Sequence, residues 1–317
     1  MPGLTDVPGI RVGHATDAEA ATGCTVVLGP FRAACDVRGL ATGTRELETL
    51  SSTHLVPRAD AILLTGGSAF GLDAAAGVMR WLEERGAGFD TGIARVPIVP
   101  AAVIYDLGVG RVDRRPDAAM GRAACDAAGD GPIAEGRVGA GTGATVGKIR
   151  GMAGAMPGGV GTWSVAGPGC TVGALAVVNA MGDVLAADGR ILAGARDDAG
   201  RFIGTERAIR EGALADRAGA PAFELAPGQN TTLAVVATDA PLGRAALEAL
   251  ARMAALGVAR RISPVHTTFD GDVTFAVSTA VEPREPSPAL LLTLGVLAAH
   301  ALERAIERAV AADPGAA

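Results

Sequence analysis

Aromatic side chains are scarce in this 317-residue chain, at 3% of the sequence, so its interior has to be built from smaller groups. Hydrophobic residues still reach 49%, and that length is ample for a core of Ala, Val, Leu and Ile. Lysine is scarcer still, nearly all basic charge being arginine. No basic cluster exceeds a pair such as Arg114–Arg115 or Arg260–Arg261, and the net charge is −6. A nucleic-acid partner would want a basic stripe, so that class is excluded. Cys24, Cys35, Cys125 and Cys170 form no C-x-x-C pair and read as reduced thiols packed as small apolar groups. The opening "MPGLTDVPGIRVGHA" has neither a charged n-region nor an apolar h-region, so the expected location is the cytoplasm. The longest late apolar stretch, Ala289 to Leu302, is broken by Thr293 and His300 and falls short of the ~20 residues of a membrane span. It reads as a core helix. His14, His54, His266 and His300 are scattered, and "DGD" at 270–272 lacks the rest of a calcium loop, so neither metal nor cofactor is expected.

Glycine is abundant instead, at 45 residues, which lets backbones approach closely and turns take positive φ. Apolar spacing predicts a helix from about Leu72 to Arg85, halted by Gly86, and another near Pro116–Ala128. The stretch 96–110, "VPIVPAAVIYDLGVG", looks too proline-rich for a central strand. Residues 136–172 read as loop and hairpin, and 173–186 as a hairpin turning at Ala180–Gly182. Residues 187–228 read as a surface excursion with one helix near 206–214. Strands follow at 232–238 and 273–279, with helices at 242–255 and 288–311. Strands and helices without strict βαβ alternation indicate an α+β fold.

Two glycine motifs tempt and fail. "GAGTGATVGK" (139–148) offers Gly139-x-Gly141-x-x-Ala144, but no acidic residue follows until Asp183. As a phosphate loop it fails at Thr142, where the first glycine belongs, and at Ile149, where Ser or Thr should hold magnesium. "TGGSAFG" (65–71) resembles a nucleophile elbow but has Phe70 at the last glycine position, leaving Ser68 as a helix cap.

"GQNTTLAVVATDAPL" (228–242) places Asn230, Thr231 and Thr232 at the mouth of a β-prone run. The Asn-x-Thr sequon means little without a secretory signal, and a plain turn into a strand is the bland alternative. A more demanding chemistry fits as well. If the chain cuts itself between Asn230 and Thr231, the new α-amine, with a pKa near ~8, lies beside the threonine hydroxyl and can serve as its general base. One residue then supplies both nucleophile and base.

The segments "DVRGLATGTRELETL" (36–50), "DAILLTGGSAFGLDAAAGVMRWLEERG" (60–86) and "VPIVPAAVIYDLGVG" (96–110) resemble the peptidase family that includes the L-aminopeptidase/D-amidase-esterase, the β-peptidyl aminopeptidases and the nylon-oligomer (6-aminohexanoate-oligomer) endohydrolases. "GRVGAGTGATVGK" (136–148), "VGALAVVNAMGDV" (172–184), "NTTLAVVATDAPL" (230–242) and "PVHTTFDGDVTFAVST" (264–279) continue the likeness over nearly the whole chain. Around the junction the Asn-Thr pair is most similar to the nylon-oligomer hydrolases, whereas the aminopeptidases typically carry Gly-Ser. The resemblance implies a four-layer αββα sandwich of the N-terminal-nucleophile type. It also implies autocleavage into chains 1–230 and 231–317, and a homotetramer of processed units.

By the same resemblance Thr231 is the nucleophile and Lys148 tunes it. Asn179 donates to the oxyanion, Asp270 and Asp272 hold the new ammonium or orient Lys148, and Tyr105, the sole tyrosine, lines the pocket or adds an oxyanion donor. The expected substrate is a short peptide or amide oligomer. Two rival readings stand beside this one. The first is an acyltransferase of ornithine-acetyltransferase-like architecture, against which "LAPGQN" differs from that family's Met-Ala-Thr junction. The second is a non-catalytic relative, for which retaining Thr231, Lys148 and Asn179 together would have no purpose. His266 is left with a structural role, since an N-terminal amine makes another base unnecessary.

Overall fold

The computed structural model describes residues 1–215 and 230–311. Strand β1 (Arg11–Asp17) leads into the long β2 (Thr22–Val37), followed by β3 (Thr44–Arg45), β4 (Ala59–Thr65) and helix α1 (Ala74–Glu83). A small ladder of β5 (Phe89–Asp90) and β6 (Arg95–Val96) precedes β7 (Ala101–Val103) and helix α2 (Ala118–Asp126). A second small ladder, β8 (Thr145–Val146) with β9 (Met156–Pro157), comes before the hairpin of β10 (Gly159–Gly167) and β11 (Cys170–Asn179). Then come β12 (Asp183–Leu185), β13 (Ile191–Ala193) and α3 (Thr205–Arg210). After the undescribed stretch follow β14 (Thr231–Thr238), α4 (Arg244–Arg261), β15 (Ile262–Ser263), β16 (Val273–Ser278) and α5 (Pro288–Ala311).

The main strands run in the order β10-β11-β14-β16-β2-β4-β7-β3, with β1 alongside β2. The first half of β2 pairs with β1 and β4, whereas its second half pairs with β16, and the register shifts between Leu28 and Phe31. β2 therefore belongs to two sheets. Strand alternation then sorts side chains into separate cores. Val27, Phe31, Ile62, Leu64, Leu175, Val177, Leu233, Val235 and Phe275 meet in one cluster between the sheets. Val26, Leu28, Ala61 and Leu63, from the opposite faces of β2 and β4, pack on Val78, Trp81 and Leu82 of α1 and on Ala124 of α2. Ala176, Val178, Ala234, Val236 and Ala276 pack on Leu250 and Val258 of α4 and on Leu294, Leu302 and Ile306 of α5. Three cores separate four layers, α-β-β-α, as expected.

Close packing replaces aromatic bulk. A Cβ on Gly161 of β10 would stand 2.0 Å from the Ala305 carbonyl of α5, so only glycine lets the helix come this near. The 24-residue α5 is apolar enough to cross a membrane by composition, yet Leu294, Ala298, Leu302 and Ile306 are fully buried in the core, as a core helix requires. Arg261 of α4 clamps it with contacts of 2.6 Å to Glu303 and 2.7 Å to Glu307. Asp117 caps α2 by accepting from the Met120 N–H at 2.9 Å.

Four local expectations are corrected. The run 173–186 is not one hairpin: after Asn179 the chain leaves the main sheet, and β12 pairs with β13 and β15 instead. The proline-rich stretch 96–110 does enter the sheet, because Ala101–Val103, just beyond Pro100, pair in parallel with β4 and antiparallel with β3. α4 runs to Arg261 rather than stopping near Ala255, since Val258 keeps its apolar face buried beyond Gly257. The helix expected near 206–214 is the shorter α3, and the 216–229 part of the expected excursion lies outside the described residues.

Candidate active site

Thr231 opens β14 and Asn179 closes β11, and the two are direct partners in the antiparallel ladder. Alternation turns Thr231 to the same side as Leu233 and Val235, and Asn179 to the same side as Val177, toward the space between the sheets. Both are buried. The Thr231 hydroxyl donates to the carbonyl oxygen of Asn230 at 2.6 Å, and the Gly271 N–H donates to that same oxygen at 2.8 Å. Asn230 is held in turn by its own N–H on the Phe269 carbonyl, at 3.2 Å. Position 271 must be glycine here. A Cβ would lie 2.6 Å from the Ala41 carbonyl oxygen and 3.0 Å from Thr231 Oγ1.

Lys148 is the only lysine in the chain, and it is 1% exposed. Backbone bonds from Gly147 N to Gly182 O and from Lys148 N to Met181 O fix its loop against the end of β11. Its Nζ donates to the Asn179 backbone carbonyl at 3.0 Å and to Asn179 Oδ1 at 2.8 Å. Asn179 Oδ1 also accepts from Thr145 N at 3.0 Å, and Asn179 Nδ2 donates to the Tyr105 carbonyl at 3.2 Å. Burial pulls Lys148 from its ordinary 10.5 down to about 7, with the charges of Asp270 and Asp106 opposing the shift. Near neutral pH this amine therefore exists in both protonation states.

Three buried carboxylates surround these groups. Asp270 accepts from Met181 N at 3.4 Å through Oδ1, and from Thr267 N at 2.9 Å and Thr267 Oγ1 at 2.5 Å through Oδ2. Burial, and secondarily the charge of Asp272, raise its pKa. Asp272 Oδ1 accepts from Thr232 N at 2.6 Å, which anchors the head of β14. Its Oδ2 accepts from His266 Nδ1 at 2.7 Å and His266 N at 3.2 Å. Asp106 accepts from Gly67 N and Thr22 Oγ1, each at 2.7 Å, and burial raises its pKa as well.

Beside Thr231 opens a cavity of about 160 Å³, lined by Ala41, Thr42, Ser68, Val103 and Tyr105 among others. Tyr105 thus lines the pocket, half-buried, while its backbone positions Asn179. All six residues read from the sequence lie together, with Asp272 and Asp270 bonded to backbone N–H groups around Thr231 rather than paired directly with Lys148.

Ser68 is not the helix cap expected of it. It sits inside a 3-10 turn, Ser68–Asp73, at φ 53, makes no capping bond, and faces the cavity. His266 does more than fill space, since it clamps Asp272. The sequence alone does not single out Asp106, Thr267 or Gly271. Asp106 directly follows Tyr105 at the end of an apolar run, and an acid in that place is the one available signal.

The family model for peptidase family S58 matches residues 3–315. An uncharacterized aminopeptidase of Mycobacterium tuberculosis is 45% identical over 330 residues, spanning 96% of this chain and 92% of that protein. The 6-aminohexanoate-oligomer endohydrolase of Kocuria sp. is 34% identical over 279 residues, spanning 86% of this chain and 74% of that protein. Among solved structures, the L-aminopeptidase D-Ala-esterase/amidase of Ochrobactrum anthropi superposes with a TM-score of 0.73 at 22% identity, covering 98% of this chain and 86% of that one. A Burkholderia sp. β-aminopeptidase gives 0.70 at 25% identity over 98% and 86% of the two chains. The Ochrobactrum enzyme is a variant of the Ntn hydrolase fold, and this chain shares that fold.

Proposed function

The chain belongs to peptidase family S58, whose members hydrolyse amide bonds, and from that membership we propose that it is a self-processing N-terminal-threonine hydrolase with Thr231 as nucleophile. The observation that carries this reading is the Thr231 hydroxyl set 2.6 Å from the carbonyl oxygen of Asn230, with the Gly271 N–H on that oxygen. In the cutting step Thr231 Oγ attacks the Asn230 carbonyl carbon, and the Gly271 N–H steadies the oxyanion. The C–N bond breaks, its nitrogen takes the proton that the Thr231 hydroxyl gives up and becomes the Thr231 α-amine, and an ester joins Asn230 to Oγ. Water hydrolyses that ester, leaving the Asn230 carboxylate and the free amine. Two chains result, 1–230 and 231–317.

In the mature site the α-amine takes the hydroxyl proton while Oγ attacks a substrate amide, and an acyl group is left on Thr231 until water removes it. Asn179 donates to the oxyanion. Lys148, fixed on Asn179 and held near neutrality by burial, sets the charge felt by the Thr231 amine. Asp270 and Asp272 fix the backbone at Met181, Thr267 and Thr232 around the nucleophile. Tyr105 shapes the pocket. Short peptides and amide oligomers are the substrates, in keeping with the names of the relatives, and a homotetramer of processed units is the expected assembly.

Intact mass spectrometry under denaturing conditions tests the reading on the purified chain and on Thr231→Ala. Two masses meeting at Asn230/Thr231 in the wild type, with one mass in the variant, support it. A single uncut mass in both would refute it.

A further inference from the structure

The loop after β4 reads Gly66-Gly67-Ser68. A Cβ on Gly66 would stand 2.1 Å from Asp106 Oδ2 and 2.4 Å from Thr22 Oγ1. Gly67 takes φ 78 and donates its N–H to Asp106 Oδ1 at 2.7 Å. Asp106 is 3% exposed, and its other oxygen accepts from Thr22 Oγ1 at 2.7 Å, so it stands as a fixed post beneath the loop. Ser68 follows at φ 53, with its N–H on the Ile104 carbonyl at 3.0 Å.

Glycine enters the left-handed region freely and serine does not. The chain thus places glycine at the two positions where the loop demands it, yet keeps a strained serine where glycine would sit more easily. Strain retained at a cavity wall points to a use for the side chain itself. Ser68 lines the same cavity of about 160 Å³ as Thr231, and among the described residues its hydroxyl bonds to no protein group. A space of that size holds on the order of six heavy atoms, so a hydroxyl on its wall meets the first atoms of an acyl group carried by Thr231.

We infer that Ser68 is a substrate-binding residue of this site. Its hydroxyl donates to a polar atom of the acyl group, a few bonds from the scissile carbonyl, and Asp106 is the positioning residue that presents it. The inference rests on Thr231 as the nucleophile.

The test measures acylation of the processed protein by p-nitrophenyl esters in two matched pairs, methoxyacetate against butanoate and 3-methoxypropanoate against pentanoate. Within a pair the acyl chains differ only by an ether oxygen in place of a methylene. Comparing the ether-to-methylene rate ratio between wild type and variant cancels the intrinsic reactivity of each ester. Ser68→Gly relaxes the backbone and Ser68→Ala keeps its strain, while both remove the hydroxyl. In both variants the ratio is expected to fall about 3- to 10-fold in at least one pair, the scale of one hydrogen bond between neutral groups. Asp106→Asn keeps an acceptor for Gly67 and a partner for Thr22, so it should retain the wild-type ratio, whereas Asp106→Ala should lose it.

Unchanged ratios in both Ser68 variants, with the acyl group found on Thr231 by mass spectrometry, overturn this inference and leave the nucleophile assignment standing. Loss of self-cleavage in both would move Ser68 into the cutting step and overturn it as well. A ratio lost in Asp106→Asn, or kept in Asp106→Ala, removes the positioning role from Asp106. No acyl adduct on Thr231 with any of the esters, in the processed wild type, overturns the nucleophile assignment and this inference with it.

Discussion

Replacing Lys148 by methionine should abolish function while making the folded chain more stable at neutral pH. Burial takes Lys148 from 10.5 to about 7, so at pH 7 the unfolded chain holds a full proton there and the folded chain about half of one. The imbalance costs the fold about 4 kcal/mol, taking ~1.36 kcal/mol per pH unit between the two values. Methionine removes that cost but also the two donations to Asn179, at 3.0 and 2.8 Å. Those bonds contribute roughly 1–1.5 kcal/mol each. A net gain of about 1–2 kcal/mol remains.

The pH dependence is the sharper signature. Because the folded value is the lower one, the unfolded chain binds the extra proton between about 7 and 10.5. Wild-type stability therefore rises across that window by up to ~1.36 kcal/mol per pH unit from this group, and below it the penalty is constant. The methionine variant lacks that slope, so its advantage shrinks as pH rises and becomes a deficit of about 1–2 kcal/mol near pH 10. Urea unfolding at several pH values, both chains carrying Thr231→Ala so that each remains one polypeptide, measures the difference. Stability curves that run parallel between about pH 7 and about pH 10 would falsify the assignment of a buried, proton-releasing lysine.

Two further outcomes test the geometry directly. Asn179→Ala removes one of the two acceptors of Lys148 and the proposed oxyanion donor, and kcat should fall by ~100-fold or more with a smaller change in KM, read from steady-state kinetics. Gly271→Ala puts a methyl 3.0 Å from Thr231 Oγ1 and 2.6 Å from the Ala41 carbonyl oxygen, so self-cleavage followed by time-resolved mass spectrometry should slow markedly. Wild-type cleavage kinetics in that variant would remove Gly271 from the proposed cutting step.

The stabilities of the two halves of the site have different origins. Thr231 and Asn179 are fixed by ladder pairing in the middle of a buried sheet, which resists local opening. The groups around them come from loops: Lys148 follows a glycine, Asp270 and Asp272 precede β16, and Tyr105 and Asp106 follow β7. Their positions depend on hydrogen bonds between segments far apart in sequence, such as Thr22 to Asp106 and Met181 to Asp270. A proposed nucleophile on a strand with a loop-built surround suits a fold in which different pockets are set around one sheet.

The local sequence was sufficient wherever period and boundary signals agreed. Pro288 and the spacing of Leu294, Ala298, Leu302 and Ile306 specify α5, whose bounds fall at the expected residues, 288–311. Strand alternation likewise specified β14 and β16, and the "NTTL", "VGK" and "DGD" motifs named residues that do come together. What lay beyond reach was partner choice. Nothing local in "NAMGDVLA" says that β12 turns away from β11 to join β13 and β15, because a strand's period is the same whichever neighbour it pairs with. Ser68 has a cap's composition but takes φ 53 at a cavity wall, which only the packing of the loop against Ile104 and Asp106 imposes. Lys148 shows the division most plainly. Its scarcity was visible in the sequence, but its pKa near 7 was not, since that value comes from burial and from the charges of Asp270 and Asp106, which only the folded chain brings within reach.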